Sequence, residues 1–278
     1  MIKVNNLSFT YEHGSAPALK DVTLHVKKGD FLGIIGESGA GKTTLTSAIN
    51  GLIPHHYHGD YFGSVEVDGV DTFDAQLTDL SLVIGTVSQD IDSQMVAAVV
   101  EDELLFGLEN FGVPHDQIEG RMLKALEAVG IPDLRNRRIA TLSGGQKQKV
   151  AIAAILALRP DVILLDEPTG ELDPVSSRQI FDVLRELNQH GVTVVVVEQK
   201  VMLLCEYAAR IAVMDKGRIV LEGTVADVLR RYKDMERIGI NCPRVATLCD
   251  RMTERGVGDG RVVATVADAC SYVKEVLS

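Results

Sequence analysis

Three features of the sequence predict a layered α/β fold. Residues 162–165 and 192–197 are continuous apolar runs without alternation, the pattern of strands covered on both faces of a parallel sheet. Between them, residues 176–189 place Ile180, Leu184 and Leu187 on one helical stripe, with Gly191 just past its end. Residues 31–36 form a compact apolar run that ends in a glycine-rich turn, after which residues 43–50 read as a helix. Strand, helix, strand in alternation is the order of an α/β layer.

The other elements follow in chain order. Residues 2–9 and 22–26 carry partial period-two alternation and are separated by Gly14, Ser15 and Pro17. Residues 65–67 with Asp68 and Gly69 read as a strand and tight turn. Residues 114–129 have helical spacing, with Ile118, Met122, Leu126 and Val129 on one stripe. Residues 150–158 are almost wholly apolar and read as a core helix. Residues 211–214 and 218–221, joined through Asp215, Lys216 and Gly217, make a hairpin. After Gly223 the pattern turns helical at 229–235, 244–255 and 265–277, so residues 224–278 read as a small C-terminal helical extension.

Composition narrows the function. The 278 residues carry 28 Lys and Arg against 39 Asp and Glu, a net charge of −11. A chain this acidic is a poor non-specific binder of nucleic acid. Cys205, Cys242, Cys249 and Cys270 form no CxxC pair and stand beside no histidine at metal-ligand spacing, the usage of neutral thiols in a reducing cytosol. The opening residues MIKVNNLSF lack the apolar run of a secretory signal. No apolar stretch approaches the roughly 20 residues that span a bilayer. A membrane role is therefore expected to come through a partner.

Three motifs carry chemistry. Gly36-Glu37-Ser38-Gly39-Ala40-Gly41-Lys42-Thr43 fits G-x-x-x-x-G-K-[ST] between a strand and a helix. Gly39 and Gly41 let successive N–H groups turn inward, a cradle for polyphosphate at a helix N-terminus. Lys42 can reach β- and γ-phosphates, and Thr43 can give a hydroxyl to Mg²⁺. Asp166 and Glu167 end a buried apolar strand. Mg²⁺ is the obvious partner for Asp166, and Glu167 can accept a proton from an attacking water. Leu142-Ser143-Gly144-Gly145-Gln146 precedes a long helix that Ser143 can cap, a second anion-binding helix end. One nucleotide does not need two such ends on one chain. A simple explanation is that the second completes a site on another chain.

GESGAGKT, LSGGQ and VILLDEP, in that order, resemble the nucleotide-binding subunit of an ATP-binding-cassette (ABC) transporter over roughly residues 1–223. The resemblance implies a P-loop α/β core, an antiparallel β subdomain, and a helical subdomain near residues 90–160 that holds the signature LSGGQ. It implies ATP bound by Tyr11, Gly36, Ser38, Gly39, Ala40, Gly41, Lys42, Thr43 and Thr44, with Tyr11 stacked on adenine. Mg²⁺ would be held by Thr43, Gln89 and Asp166. Glu167 would be the catalytic base, and Asp173 would cross a dimer interface. Two subunits in a head-to-tail sandwich would place each ATP between one Walker A loop and the opposite signature.

Residues 88–94 and 100–110, residues 50–57, and the helical tail are similar to the ATPases of energy-coupling-factor importers. That branch implies a transmembrane scaffold contacting residues near 89–110, a separate solute-binding membrane subunit, import of a vitamin or metal ion, and a place on the cytoplasmic face of the membrane. Glu101, Asp102 and Glu103 read as a solvated helix start that basic scaffold residues can meet. His55, His56 and His58 read as a surface loop. One position departs from the family: Gln199 stands where a histidine is usual, and it cannot carry an imidazolium charge. A subunit of another transporter type, or a slowly hydrolysing regulatory partner in a heterodimer, therefore stays open.

Overall fold

The computed structural model describes residues 1–277; Ser278, the last position of the expected extension, lies outside the described residues. Its strands are β1 (Ile2–Tyr11), β2 (Leu19–Val26), β3 (Phe31–Gly36), β4 (Gly59–Val67), β5 (Val70–Asp71), β6 (Ile84–Val87), β7 (Val162–Asp166), β8 (Thr193–Val197), β9 (Arg210–Asp215) and β10 (Arg218–Thr224). They build an antiparallel sheet in the order β2-β1-β4-β5 and a larger sheet in the order β10-β9-β3-β8-β7-β6. In the larger sheet only β10 runs antiparallel to its neighbour.

Both faces of the larger sheet are covered, which is why its central strands show no polar alternation. Leu32, Ile34, Leu164, Val195 and Val197 point toward the antiparallel sheet and helix Lys42–Ile49, sharing a core with Ile2, Val4, Phe9 and Leu45. Ile35, Ile163, Leu165, Val194 and Val196 point the other way, into a core with helices Val100–Asn110, His115–Ala128, Gly144–Leu158 and Pro174–Gln189. The register sets the site. Ile34 pairs with Val197, and Val197 with Asp166, so β3, β7 and β8 end level with one another. Ligands of open α/β sheets bind at those carboxyl ends.

Some elements differ from the sequence reading. Helix Leu77–Val83 and strand β6 were not expected. Four residues, Ile84-Gly85-Thr86-Val87, are too few to show a period, and glycine disfavours a strand. Gly85 is there for packing: a Cβ would fall 2.3 Å from Ile155 Cγ2 and 2.8 Å from Pro160 Cγ. The helix expected at 229–235 is two, Val225–Arg230 and Tyr232–Arg237, separated at Arg231 (φ −99°, ψ 27°). The first begins early because the Thr224 hydroxyl accepts from the Asp227 N–H at 3.2 Å. Val228, Leu229, Met235, Ile240 and Ala246 join the large core, whereas Cys249, Val263, Ala269 and Tyr272 form a small cluster of their own.

Candidate nucleotide site

The loop after β3 turns because Gly41 takes φ +99°, and a Cβ there would meet the Ala18 carbonyl at 2.7 Å. Side chains are excluded twice over, by backbone strain and by space. The next residue starts helix Lys42–Ile49, whose first N–H groups face the loop. Lys42 is buried and donates to the carbonyls of Gly36 at 2.8 Å and Glu37 at 2.9 Å. An ammonium has three donors, so the group can hold the loop and still meet an anion. Ser38 and Gly39 are exposed on the loop, Thr43 is exposed in the first turn of the helix, and Ala40 is buried. Thr44 is buried and shares a 3.1 Å hydrogen bond with the hydroxyl of half-buried Tyr11, which stands edge-on to Phe9 and Tyr57.

At the end of β7, Asp166 is 4% exposed, and both carboxylate oxygens are buried without a hydrogen-bond partner among the described residues. Burial lifts its pKa above the ordinary value, and the Glu167 charge adds to that; the nearby Thr43 hydroxyl and Lys42 ammonium partly offset it. Two orphaned buried oxygens beside a threonine hydroxyl suit a divalent cation. Glu167 sits at φ +52°, a conformation that non-glycine residues adopt only when their surroundings hold them. Its carboxylate is held from both sides. Gln199 Nε2 donates to Oε1 at 2.7 Å, and Gln89 Nε2 donates to Oε2 at 3.3 Å.

Three polar residues that the sequence reading missed hold this arrangement. Glu198, 2% exposed, accepts from the Thr169 N–H (3.0 Å) and hydroxyl (2.5 Å) with Oε1, and from the Gln199 N–H (3.1 Å) with Oε2. Lys200 Nζ donates to the Thr169 carbonyl at 2.7 Å and to Ser177 Oγ at 3.2 Å. Gln148, from the helix after the signature, donates to the Glu167 carbonyl at 3.1 Å and accepts from the Glu171 N–H at 3.3 Å. The segment 167–173 is thus tied to the end of β8 and to helix Gly144–Leu158. Only the run of Glu198, Gln199 and Lys200 after a buried strand hinted at this.

The signature lies elsewhere. Ser143 and Gln146 form a reciprocal cap: Gln146 N–H donates to Ser143 Oγ at 3.3 Å and Ser143 N–H to Gln146 Oε1 at 3.0 Å. Leu142 packs against the large core. Ser143, Gly144, Gly145, Gln146 and Asp173 border a cavity of about 520 Å³. Gly36, Ser38 and Gln199 border a different one of about 440 Å³. One chain therefore brings together the phosphate loop, Asp166, Glu167, Gln89 and Gln199, but not the signature. Asp173 also caps its own helix, accepting from Val175 and Ser176 N–H at 2.9 and 3.0 Å.

The acidic run at 101–103 corrects the sequence reading. Glu103 is buried and accepts from the N–H groups of Val96 (2.9 Å) and Ala97 (2.7 Å). Glu101 is paired to Arg135 at 2.6 Å. Backbone donors that no helix satisfies need an acceptor, so only Asp102 remains solvated. His55, His56 and His58 are exposed; His55 Nε2 lies 2.9 Å from the Thr72 carbonyl.

Asp166 provides a test that needs no activity. Its folded pKa is raised, so the ionised carboxylate costs stability above that pKa, and the cost disappears as pH falls through it toward the ordinary 3.8. Without ligand, Asp166→Asn is expected to be more stable than the native chain at about pH 7, the gap closing toward about pH 4. Urea unfolding across that range checks this; parallel curves would contradict it.

A family model described as ABC transporter matches residues 19–170. A Pyrococcus abyssi protein, named by inference as an ABC transporter ATP-binding protein, is 42% identical over 258 residues, 92% of each chain. The energy-coupling factor transporter ATP-binding protein EcfA1 of Caldanaerobacter subterraneus subsp. tengcongensis is 38% identical over 278 residues, 98% of each. Among solved structures, cbiO1 of Clostridium perfringens, part of the ABC transporter complex cbiONQ, superposes with TM-score 0.73 at 31% identity over 90% of this chain and 98% of its own. The cassette MJ0796 in a post-hydrolysis dimer with ADP and Pi superposes with TM-score 0.73 at 30% identity, over 81% of this chain and 99% of its own. With these matches added to the phosphate loop and the paired carboxylates, the chain belongs to the ABC transporter family as one of its ATP-binding, ATP-hydrolysing subunits.

Proposed function

We propose that the chain powers import of a small solute, a vitamin or a metal ion, through an energy-coupling-factor transporter. It would do so as a peripheral ATPase on the cytoplasmic face of the membrane. Residues 1–223 act as the cassette, with a helical subdomain near 90–160, and residues 224–278 as its extension. The similarity to EcfA1 and cbiO1 over nearly the whole chain supports this branch. No described helix is long and apolar enough to cross a membrane; in this reading the pore would be formed by partners. The surface near residues 89–110 suits a transmembrane scaffold: Val96 is 66% and Phe106 48% exposed, and Ala97, Ala98 and Ile139 line a cavity of about 540 Å³. Solute selection would reside in a separate membrane subunit.

One observation carries the two-subunit reading: the phosphate loop and the signature end of a single chain border separate cavities. The γ-phosphate in the loop of one subunit would then meet Ser143, Gly144 and Gly145 of a second copy or a homologous ATPase. Tyr11 would stack on adenine, and Asp173 would lie at the seam.

Within the site, the loop N–H groups and Lys42 hold the phosphates, with Ser38 and Thr44 beside them. Thr43, Asp166 and Gln89 would hold a Mg²⁺ ion, which when bound neutralises phosphate charge. Glu167 takes a proton from the attacking water. The amides of Gln89 and Gln199 hold its carboxylate oxygens in place. Loss of the γ-phosphate removes the bridge, and the pair reopens.

Glu167→Gln is expected to lower the rate of phosphate release by about 10²–10⁴-fold while ATP still binds; turnover at the native rate would overturn the assignment. A neutral amide bonds a carboxylate less strongly than an imidazolium does, by about 1 kcal/mol. Gln199→His is accordingly expected to raise turnover about fivefold. An unchanged or lower rate would show that glutamine does not limit this site.

A further inference from the structure

Away from the nucleotide cleft, a cavity of about 570 Å³ opens between helices His115–Ala128 and Pro174–Gln189 and the end of helix Gly144–Leu158. That volume lies in the range of small-molecule sites, about 300–1,000 Å³. Its walls are apolar, formed by Ala125, Ala128, Leu156, Ile163, Leu187 and Val192. Its mouth is cationic: Arg121, Lys124 and Arg159 line it, with the ring of His190, against one carboxylate, Glu186.

These cations are poorly satisfied within the chain. Among the described residues, Arg121 Nε is buried without a hydrogen-bond partner, and Arg121 Nη2 donates to the neutral amide of Gln117 at 2.8 Å. Lys124 and Arg159 have no ion-pair partner among the described residues. A buried donor without an acceptor costs free energy that an incoming oxygen removes. An apolar chain in the cavity gains by leaving water.

We propose that this cavity binds a small amphiphilic anion: an aliphatic or aryl body seated on the apolar walls, with one carboxylate or sulfonate at Arg121, Lys124 and Arg159. A neutral chain would leave the cations unpaired, and an inorganic anion would leave the walls wet. Because Ile163 belongs to β7 and Ala125 to helix His115–Ala128, an occupant would tie that helix to the sheet. The proposal does not depend on the nucleotide reading.

The test uses the full chain and 8-anilinonaphthalene-1-sulfonate, an aryl sulfonate whose emission rises in apolar surroundings. The chain contains no tryptophan, so the probe signal is clean. Saturable binding is expected, displaced by decanoate and not by decanol. The double variant Lys124→Glu/Arg159→Glu, at two exposed positions, is expected to weaken binding by about tenfold or more, because two attractions become repulsions. Ala128→Phe, which fills the cavity, is expected to abolish it. Probe binding that is unchanged in the double variant, or displacement by decanol as strong as by decanoate, would overturn the proposal. The exposed double variant keeps the test decisive should Ala128→Phe fail to fold.

Discussion

A helix leaves its first N–H groups without partners inside the helix, and they must be met from elsewhere. This chain has two ends of that kind rich in glycine, at Gly41-Lys42 and at Ser143-Gly144-Gly145. The first is aimed into the cleft formed by the level ends of β3, β7 and β8. The second opens on another cavity, with Asp173 beside it. Folding alone cannot bring the two together, because helix Gly144–Leu158 is packed into the core along much of its length. An anion that engages both ends must lie between two chains. Under the two-subunit reading proposed above, association would be conditional on the triphosphate, giving a physical basis for a cycle of closure and reopening.

The reacting end of that site is built as a unit. Glu167 is positioned through its backbone by Gln148 and through its carboxylate by Gln89 and Gln199. Glu198 and Lys200 fasten the following segment to the end of β8. These contacts arise on different parts of the chain: the edge loop after β6, the helix of the signature, and the turn after β8. A shift in the loop after β6 near Gln89, or in the segment leading to Asp173, would therefore reach the same carboxylate. Buried polar networks of this kind specify one arrangement only while every member is satisfied. Asp166 is the exception, with two oxygens left over for a cation.

What was legible in the sequence was local. The phosphate loop announces itself because turn, lysine and helix start are contiguous. The buried strands announce themselves because cover on both faces removes alternation. Ser143 directly precedes the glycines of its helix start, so its cap can be read directly, whereas the reciprocal bond from Gln146 is seen only in the structure. What was not legible depends on where distant segments land. Glu198 has meaning only once β7 and β8 end side by side. Glu103 reads as a surface charge until the unpaired backbone at 96–97 is seen beneath it. Strand β6 is visible only as a partner of β7, pairing Ile84 with Val162. The poorly paired cations around the cavity at Leu156 and Leu187 come from helix His115–Ala128 and from Arg159, just past the end of helix Gly144–Leu158, which the sequence separates.

The central claim is that the nucleotide is gripped by two chains, and cross-linking tests it most directly. One preparation carries Ser38→Cys and the other Ser143→Cys, each with the exposed Cys270 replaced by serine. Mixed and treated with a short bis-maleimide, they are expected to form a covalent dimer of unlike partners when ATP and Mg²⁺ are present, and little without nucleotide. A chain that holds ATP tightly as a monomer, with no ATP-dependent cross-link, would contradict the account.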